Sequence, residues 1–385
     1  MKVLHVYRTY FPDTQGGLEE AIRQICLNTQ SEGVESRVFF LSKNPRPKLV
    51  EGEEGLGVRV QLSFEISSCG FCFGGLREFV RQVAWADIVH YHFPWPYADV
   101  MYFLFGRRRP SLVTYHSDIV RQRLLSVFYT PLKRLFLRSI DRVVATSPNY
   151  LATSDVLRRM DRDVDIVPLG LRQDSYPGAD KLSDAIESAR ASYGEGFFLF
   201  VGVLRYYKGL HVLLEAARNT DFKILIVGLG PEEAALKEQA RELGLANVIF
   251  TGYLSDHQKM ALFHLCRAVV FPSFLRSEAF GVTLLEGAMT GKPLISAEVG
   301  SGSSLVNIDE ETGLVVTAGS PRSLRLAMQR LHNDEALAQE LGRRARQRFE
   351  DNFTGAEMGR RYATIYRQML EDKPVAASGA ARGVA

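Results

Sequence analysis

Residues 197–217, FFLFVGVLRYYKGLHVLLEAA, contain the unit from which the chain is built. The apolar run Phe197–Val201 has the length and composition of a buried strand. A glycine-bearing polar loop follows, and His211–Ala217 then has an apolar pattern of helical type. A buried strand followed by a helix is the repeating unit of a parallel α/β sheet.

The same alternation runs through the chain in two series. In the first series, where a helix is also predicted over Leu18–Thr29, the predicted strands are Val3–Val6, Arg37–Leu41, Ile88–Tyr91, Leu112–Tyr115 and Arg142–Thr146. In the second series they are Phe197–Val201, Lys223–Val227, Val248–Phe250, Ala268–Phe271 and Pro293–Ser296. Two such series predict an α/β protein with two Rossmann-like domains.

The polar stretch Pro168–Gly196 is where we expect the domain boundary. We therefore predict an N-terminal domain over residues 1–175 and a C-terminal domain over residues 176–355. Regular leucine spacing predicts helices from Ser320 to Leu370, and we expect residues 356–372 to pack back on the N-terminal domain. The alanine- and glycine-rich residues 373–385 predict a disordered tail.

Composition limits the classes of function. The chain has 385 residues with 47 basic and 44 acidic side chains, a balance that does not suggest a nucleic-acid partner. No apolar run reaches the ~18 residues that a membrane span needs, and no signal peptide is visible. These features predict a cytoplasmic protein, or one peripheral on the inner face of the cytoplasmic membrane. Cys69 and Cys72 are interpreted as two reduced thiols in a loop in preference to a metal site.

Basic and glycine residues follow several of the predicted strands. Arg205 and Lys208 lie directly after Phe197–Val201, where two cations can face a diphosphate or can simply be solvated. Gly16 and Gly17 lie between the first strand and the first helix. Glycines there let backbone N–H groups approach a phosphate at a helix N-terminus, although a tight turn alone would also explain them.

The strongest motif is EAFGVTLLE, which runs from Glu278 to Glu286. Glu278 lies in the loop after the strand Ala268–Phe271, and we place Glu286 two turns into the following helix. One carboxylate can face a sugar while the other reaches a ribose hydroxyl. His116 ends another strand and points into the crevice of the sheet, where it is either functional or a structural hydrogen-bonding residue.

In order and spacing, these motifs resemble the retaining enzymes of glycosyltransferase family four. Between the Gly-Gly loop and the Glu pair stand two further matching motifs, Gly228-x-Gly230-Pro231 and Val248-x-Phe250-x-Gly252. The resemblance covers nearly the whole chain. It implies the GT-B fold, in which two Rossmann-like domains face each other across a cleft that contains the active site.

The resemblance implies a role for each matching position. Arg205 and Lys208 would neutralise the donor diphosphate, so that no metal ion or other cofactor is required. Glu278 would bind donor-sugar hydroxyls near the reacting carbon, Glu286 would hold the ribose, and His116 would contact the donor sugar. The other implied donor-site residues are Gly16, Gly17, Tyr253, Leu254, Phe280, Gly281 and Val282.

The opening segment, His5–Pro12, and the Gly-Ser-Gly-Ser stretch at 300–303 resemble a bacterial subgroup that builds lipopolysaccharide O-antigen. This implies transfer of a mannose- or rhamnose-like sugar from a nucleotide-sugar donor, with GDP favoured, to a polyprenyl-diphosphate-linked saccharide. A UDP-sugar enzyme and a catalytically silent nucleotide-sugar-binding protein remain the alternatives. Two stretches depart from the family pattern: Leu171-Arg172, and the run that begins at Glu298.

Two basic segments suggest a membrane partner. Arg107–Arg109 is a run of cations, and residues 121–138 interleave Arg121, Arg123, Lys133, Arg134 and Arg138 with leucine and phenylalanine. Such a segment can hold a protein at an anionic membrane surface through its charges and through partly inserted apolar side chains. The alternative is a helix with an inner apolar face and a solvated basic face.

Overall fold

The structure is a computed structural model that describes residues 1–66, 69–119 and 123–372, without the side chains of residues 123–128 and 179. Arg121, the side chain of Arg123 and the expected tail 373–385 lie outside the described residues. Across the described ranges, every helix is too short or too polar to cross a membrane.

The first sheet contains eight strands within the described ranges, in the order β10-β9-β8-β7-β1-β2-β4-β3. The strands of this half are β1 Lys2–Val6, β2 Glu35–Ser42, β3 Leu49–Gly52, β4 Gly55–Gln61, β5 Phe64–Ile66, β6 Cys69–Phe71, β7 Ile88–Phe93, β8 Ser111–Tyr115, β9 Arg142–Ala145 and β10 Asp165–Ile166. All neighbours in the sheet are parallel except β3 and β4, while β5 and β6 form a separate antiparallel pair. Every residue of β7 and β8 is buried, as expected for parallel strands covered on both faces.

The helices of this half are α1 Gly17–Gln30, α2 Leu76–Trp85, α3 Pro96–Leu104, α4 Arg123–Ser139, α5 Pro148–Thr153 and α6 Asp155–Arg158. Sequence patterns located the fully buried strands of both halves but missed β3 to β6 and β10 here, and the strand Gly313–Thr317 of the second half. The residues of β3 and β5 are mostly exposed, so these strands lack an apolar run. The expectation of a loop at Cys69 is also wrong, because this residue begins β6; Cys69 and Cys72 are both free thiols, and Cys72 is buried.

The second sheet lies between residues 198 and 317, all of which are described, and has six parallel strands in the order β13-β12-β11-β14-β15-β16. They are β11 Phe198–Val201, β12 Ile224–Val227, β13 Val248–Gly252, β14 Ala268–Phe271, β15 Leu294–Glu298 and β16 Gly313–Thr317. This is the doubly wound Rossmann order, with the direction of winding reversing between β11 and β14. The two sheets confirm the predicted α/β class.

The helices of this half are α7 Ser183–Tyr193, α8 Leu210–Ala216, α9 Glu233–Glu242, α10 Asp256–Leu265, α11 Val282–Met289, α12 Ser303–Val306, α13 Pro321–Asn333, α14 Glu335–Asn352 and α15 Gly355–Asp372. The stretch Pro168–Gly196 is therefore more than a linker, since it contains α7, which packs on α10.

The last helix, α15, returns to the first half of the chain and packs along α1. A Cβ atom on Gly359 would lie 2.3 Å from the backbone oxygen of Asn28, so the two helices approach too closely for a side chain there. On the same helix, Tyr362 and Tyr366 are fully buried. Tyr362 bonds to Thr114 of β8 and Tyr366 to His90 of β7, which anchors the C-terminal end of the chain in the first sheet.

Candidate active site in the cleft between the sheets

The loops at the carboxyl ends of the two sheets meet across a cleft. Tyr253, after β13, donates to Gln15 before α1 at 3.3 Å. Arg276, after β14, lies 3.5 Å from the carboxylate of Asp118, which follows β8. These contacts bring loops from both halves of the chain into one site, as expected for ligand sites at the carboxyl ends of parallel strands.

Two helices begin at this cleft, and no described side chain caps either of them. Gly16 precedes α1, and Gly281, with a φ of 98°, precedes α11. A Cβ atom on Gly17 would lie 3.8 Å from the side chain of Val282, so the starts of the two helices are adjacent. Their first-turn N–H groups and the positive ends of both helix dipoles therefore suit an anion such as a phosphate.

A buried ion pair lies beside this anion site. Lys208 Nζ is 2.5 Å from Glu278 Oε2, which also accepts a hydrogen bond from Ser273 at 2.8 Å. Burial disfavours the charged lysine, but the Glu278 carboxylate outweighs that cost and raises the pKa of Lys208. Among the described residues, Glu278 Oε1 has no hydrogen-bond partner. The pair thus offers one ammonium and one carboxylate oxygen to a polar ligand.

The second carboxylate of the motif is also paired. Glu286 lies one turn into α11, which begins at Val282, and not two turns as expected. Its carboxylate is buried and accepts from Lys259 Nζ of α10 at 2.8 Å. Lys259 also pairs with Asp256 at 3.0 Å and lies over the ring of Tyr176. Sequence reasoning missed Lys259 because it stands on a different helix, far from the motif.

Arg205 contributes an exposed cation to the same region. Burial raises the pKa of Tyr7, which follows β1, and the charges of Arg8 and then Arg205 oppose that shift. Arg205 therefore acts electrostatically across the cleft on a residue of the first half. An exposed guanidinium here can bind a ligand phosphate through two parallel hydrogen bonds.

His116 follows β8 and is only 3% exposed. Burial lowers the pKa of its imidazole to about 3, so the ring is neutral at physiological pH. Its Nε2 lies 3.0 Å from Nδ1 of His92 on β7. His116 is therefore a neutral hydrogen-bonding group, unsuited to donate a proton as an imidazolium.

The remaining expected donor-site residues differ in their surroundings. The Phe280 side chain is buried in the core, so only its backbone can line a ligand. Leu254 also packs against the core, whereas Tyr253 is 61% exposed. A Cβ atom on Gly228 would lie 2.1 Å from the carbonyl oxygen of Gly202, which shows that this glycine is required for packing between two loops.

The two departures from the family pattern form contacts of their own. Arg172 pairs with Glu53 after β3, and its backbone N–H donates to Gln24 of α1 at 2.7 Å. Glu298 accepts hydrogen bonds from the Gly300 N–H at 2.6 Å and from Ser304 at 2.8 Å. The carboxylate thus holds the turn that leads into α12.

A basic cavity of about 500 Å³ lies in the first half of the chain, next to the loop after β1. Its charged lining residues are Arg8, Asp13, Lys43, Arg46, Arg59 and Glu65. Arg59 is paired with Asp13, whereas Lys43 and Arg46 are exposed and form no ion pair within the described part of the chain. Sequence reasoning missed this cavity, although Arg8 and Lys43 directly follow strands in the same way as Arg205.

Two family models match the chain in succession. Residues 15–174 match a family described as Glycosyltransferase Family 4, and residues 184–348 match one described as Glycosyl transferases group 1. The D-rhamnosyltransferase WbpZ of Pseudomonas aeruginosa is 48% identical over 97% of both chains. The O-antigen chain mannosyltransferase C of Escherichia coli is 43% identical over 97% of this chain and 100% of its own length.

Solved structures share the fold at low identity. Sucrose-phosphate synthase from Thermosynechococcus elongatus superposes with a TM-score of 0.78 at 22% identity, over 97% of this chain and 100% of that one. Anabaena HepE in complex with UDP-glucose gives a TM-score of 0.78 at 18% identity, over 96% and 100% of the two chains.

We expect Lys259→Met to lower the free energy of unfolding by about 3 kcal/mol, because the buried Glu286 carboxylate would lose its counter-charge. The control is Lys237→Met on α9, which removes a lysine from an exposed pair with Glu233 and should cost about 0.5 kcal/mol or less. Urea unfolding followed by circular dichroism measures both. A Lys259→Met protein as stable as the control would show that Glu286 does not need this partner.

Proposed function

The chain belongs to glycosyltransferase family four, as its motifs predicted, and we propose that it transfers a mannose- or rhamnose-like sugar from a GDP-linked donor to a lipid-linked saccharide of lipopolysaccharide O-antigen. The relatives at 48% and 43% identity, a rhamnosyl- and a mannosyltransferase, support the type of sugar and the O-antigen role. They span almost the whole chain, so both domains are shared.

The observation that carries the proposal is the position of the Lys208–Glu278 pair beside the uncapped start of α11. A nucleotide-sugar donor has two parts that need recognition at its reacting end, an anionic diphosphate and a hydroxyl-rich sugar. Lys208, Arg205 and the helix N-termini suit the diphosphate, and Glu278 suits the sugar hydroxyls. A catalytically silent protein that binds a nucleotide sugar would need the same contacts, so what favours the enzyme is that both relatives are named as transferases.

In the proposed reaction the acceptor hydroxyl attacks the anomeric carbon from the face that the phosphate leaves. The new bond joins the acceptor oxygen to this carbon while the carbon–phosphate oxygen bond breaks. The proton of the hydroxyl passes to the departing phosphate, so that the configuration of the sugar is retained. Charge that develops on the phosphate is stabilised by Arg205 and Lys208, and such fixed charges are usually the largest catalytic contribution.

We propose the basic cavity as the place where the acceptor's diphosphate binds. Its lining has four basic against two acidic side chains, an excess that favours an anionic ligand. The cavity adjoins Arg8, whose neighbour Tyr7 experiences the charge of Arg205 on the donor side. An acceptor in this cavity can therefore place its sugar in the cleft between the two diphosphates.

We also propose that the surface formed by α3, α4 and the turn between α3 and β8 docks on an anionic membrane. Leu104 and Leu135 are exposed there, at 57% and 55%. Leu135 directly follows the exposed Arg134, and Leu104 stands three residues before the exposed Arg107. The exposed cations of the same surface are Arg107, Arg108, Arg134 and Arg138. Not every apolar side chain of this segment can insert, because Phe136 is 1% exposed and packs in the core.

We expect Lys208→Ala and Glu278→Ala each to lower kcat by at least ~100-fold, the scale for removal of one transition-state contact. The rate of nucleotide release from GDP-mannose, GDP-rhamnose and UDP-glucose measures the loss of turnover. Excess EDTA is present, and wild-type turnover should persist in it because Arg205 and Lys208 neutralise the phosphates. Lys237→Ala, on the exposed face of α9, is the matched control and should retain wild-type activity.

The double variant Lys208→Met/Glu278→Gln controls for loss of folding in the single variants, since it removes both buried charges together and leaves neither unpaired. It should melt near the wild-type temperature and still be inactive. Near-wild-type turnover by either single variant would contradict the site, and faster release from the UDP-sugar would contradict the GDP assignment.

For the acceptor cavity, Lys43→Ser/Arg46→Ser should raise the KM for a polyprenyl-diphosphate-linked saccharide about tenfold, the loss expected for hydrogen bonds to a charged ligand. The KM for the donor should not change. An alkyl glycoside of the same saccharide, which lacks the diphosphate, should be used equally well by wild type and variant. Arg81→Ser, an exposed cation of α2, is the control, and an equal loss with both acceptors would exclude recognition of the diphosphate.

For the membrane surface, changing Arg107, Arg108, Arg134 and Arg138 to serine should weaken co-sedimentation with phosphatidylserine vesicles, since each basic residue contributes about 1 kcal/mol. High salt should weaken the wild type in the same way. The control changes four exposed arginines of α14 and α15, which are Arg343, Arg344, Arg360 and Arg361. Equal pelleting of the two variants, or no binding by the wild type, would rule out this surface.

A further inference from the structure

Four histidines form a buried layer in the first sheet. His5 of β1 is the register partner of His90 on the neighbouring strand β7, and His92 lies two residues further on β7. Because alternate residues of a strand share a face, His90 and His92 lie on the same side of the sheet. His116 follows β8, which is the next strand, and its ring is stacked on that of His92. The layer therefore extends from the centre of the sheet to the cleft.

Three of these rings are joined by hydrogen bonds. Nδ1 of His5 lies 3.1 Å from Nε2 of His92, and Nδ1 of His92 lies 3.0 Å from Nε2 of His116. Nδ1 of His116 has no partner among the described residues, so it is the nitrogen left for a bound ligand. At the opposite end, Nε2 of His5 is buried and is likewise without a described partner.

Each ring carries one proton. Burial lowers the pKa of His5 and of His116 to about 3, and burial followed by the neighbouring histidines holds the pKa of His92 well below its usual value. A neutral imidazole donates from one nitrogen and accepts at the other. Each of the two hydrogen bonds needs one proton, so the three protons can be ordered in only two ways.

The two arrangements of protons differ at His5 and at His116, the two ends of the hydrogen-bonded row His5–His92–His116. If protons sit on Nε2 throughout, the N–H of His5 is buried with nothing to accept it. If the protons sit on Nδ1 in all three rings, Nε2 of His5 has only a lone pair without a partner. The proton of His116 is then on Nδ1, which is the nitrogen available to a ligand. Orphaned buried N–H groups are rarer in proteins than under-satisfied acceptors, and an unpaired buried donor is costly.

We infer that the protons are ordered from His5 through His92 to His116, so that His92 is a positioning residue that presents His116 to the cleft as an Nδ1–H donor. This rests on the proposed donor site and on the role that the family resemblance implies for His116, which is a contact with the donor sugar. An N–H held in that direction can donate to a sugar or phosphate oxygen without the cost of turning the ring over. His5 acts one step further away, because it fixes the proton on His92.

A metal ion is the competing use of the layer, since nitrogens of His5, His90 and His92 lie within 4.8 Å of one another. However, both nitrogens of His90 already bond, to Tyr366 at 2.8 Å and to Thr114 at 2.7 Å. Both nitrogens of His92 are used by the other histidines. Only His5 could ligate a metal without breaking a buried hydrogen bond, so the geometry favours the hydrogen-bonded row.

The first test is the tautomer of each ring in the full-length protein without substrate. Protein labelled with ¹⁵N-histidine is measured by long-range ¹H–¹⁵N correlation at pH 7. The signals are assigned from variants in which one histidine at a time is replaced. We expect His5, His92 and His116 all to carry the proton on Nδ1. Protons on Nε2 in these rings, or stoichiometric metal in the purified protein, would overturn the inference.

The second test is functional and compares two replacements of His92. His92→Leu removes the donor to His116 and should lower kcat about tenfold, the scale of one lost hydrogen bond. His92→Asn also removes the ring but places an amide N–H near the position of Nδ1, and it should recover most of the activity and the Nδ1 tautomer of His116. Equal losses in both variants, or none in either, would overturn the positioning role.

The two tests separate this inference from the proposed function. The wild-type spectrum needs neither substrate nor turnover, so it decides the proton order even if a His92 variant fails to fold. If the wild type released no nucleotide, the proposed donor would be contradicted. The spectrum would still decide where the protons of His5, His92 and His116 lie.

Discussion

The site depends on one constraint, which is that parallel strands must return through a crossover on the face of the sheet. Every parallel strand therefore ends at the same edge, and the following helix starts there. This brings together residues far apart in the chain, such as Gly17 after β1 and Val282 after β14. Because two such sheets face each other, cations and helix N-termini from both halves converge on one cleft.

Charges buried at this edge must be compensated, and that requirement explains features outside the recognised motif. Glu278 and Glu286 are both buried, and each has its own lysine, Lys208 and Lys259. Without these partners, each carboxylate would be an uncompensated buried charge, which is strongly destabilising. The lysines thus balance the charge of two carboxylates that are shielded from water.

The helix α15 links the two halves of the molecule through polar contacts in the core of the first sheet. Its tyrosines bond to His90 and Thr114, and His90 stacks on His92. Buried polar groups of this kind are costly unless all are paired, and in return they specify a single arrangement of their elements. The same layer that docks the C-terminal helix also orients His116 at the cleft.

Much of this protein could be predicted from sequence, because the relevant signals are local. Apolar runs located all the fully buried strands, and the glycines and charges that follow strands indicated Gly16, Gly17, Arg205, Lys208 and His116. The order of the motifs identified the family. Short, mostly exposed strands such as β3 and β5 were missed because they lack an apolar run. What only the tertiary structure decided were pairings between distant segments: Lys259 with Glu286, His92 with His116, and the basic cavity around Lys43 and Arg46. Their partners stand on different elements, and packing, which no local pattern records, sets the distances between them.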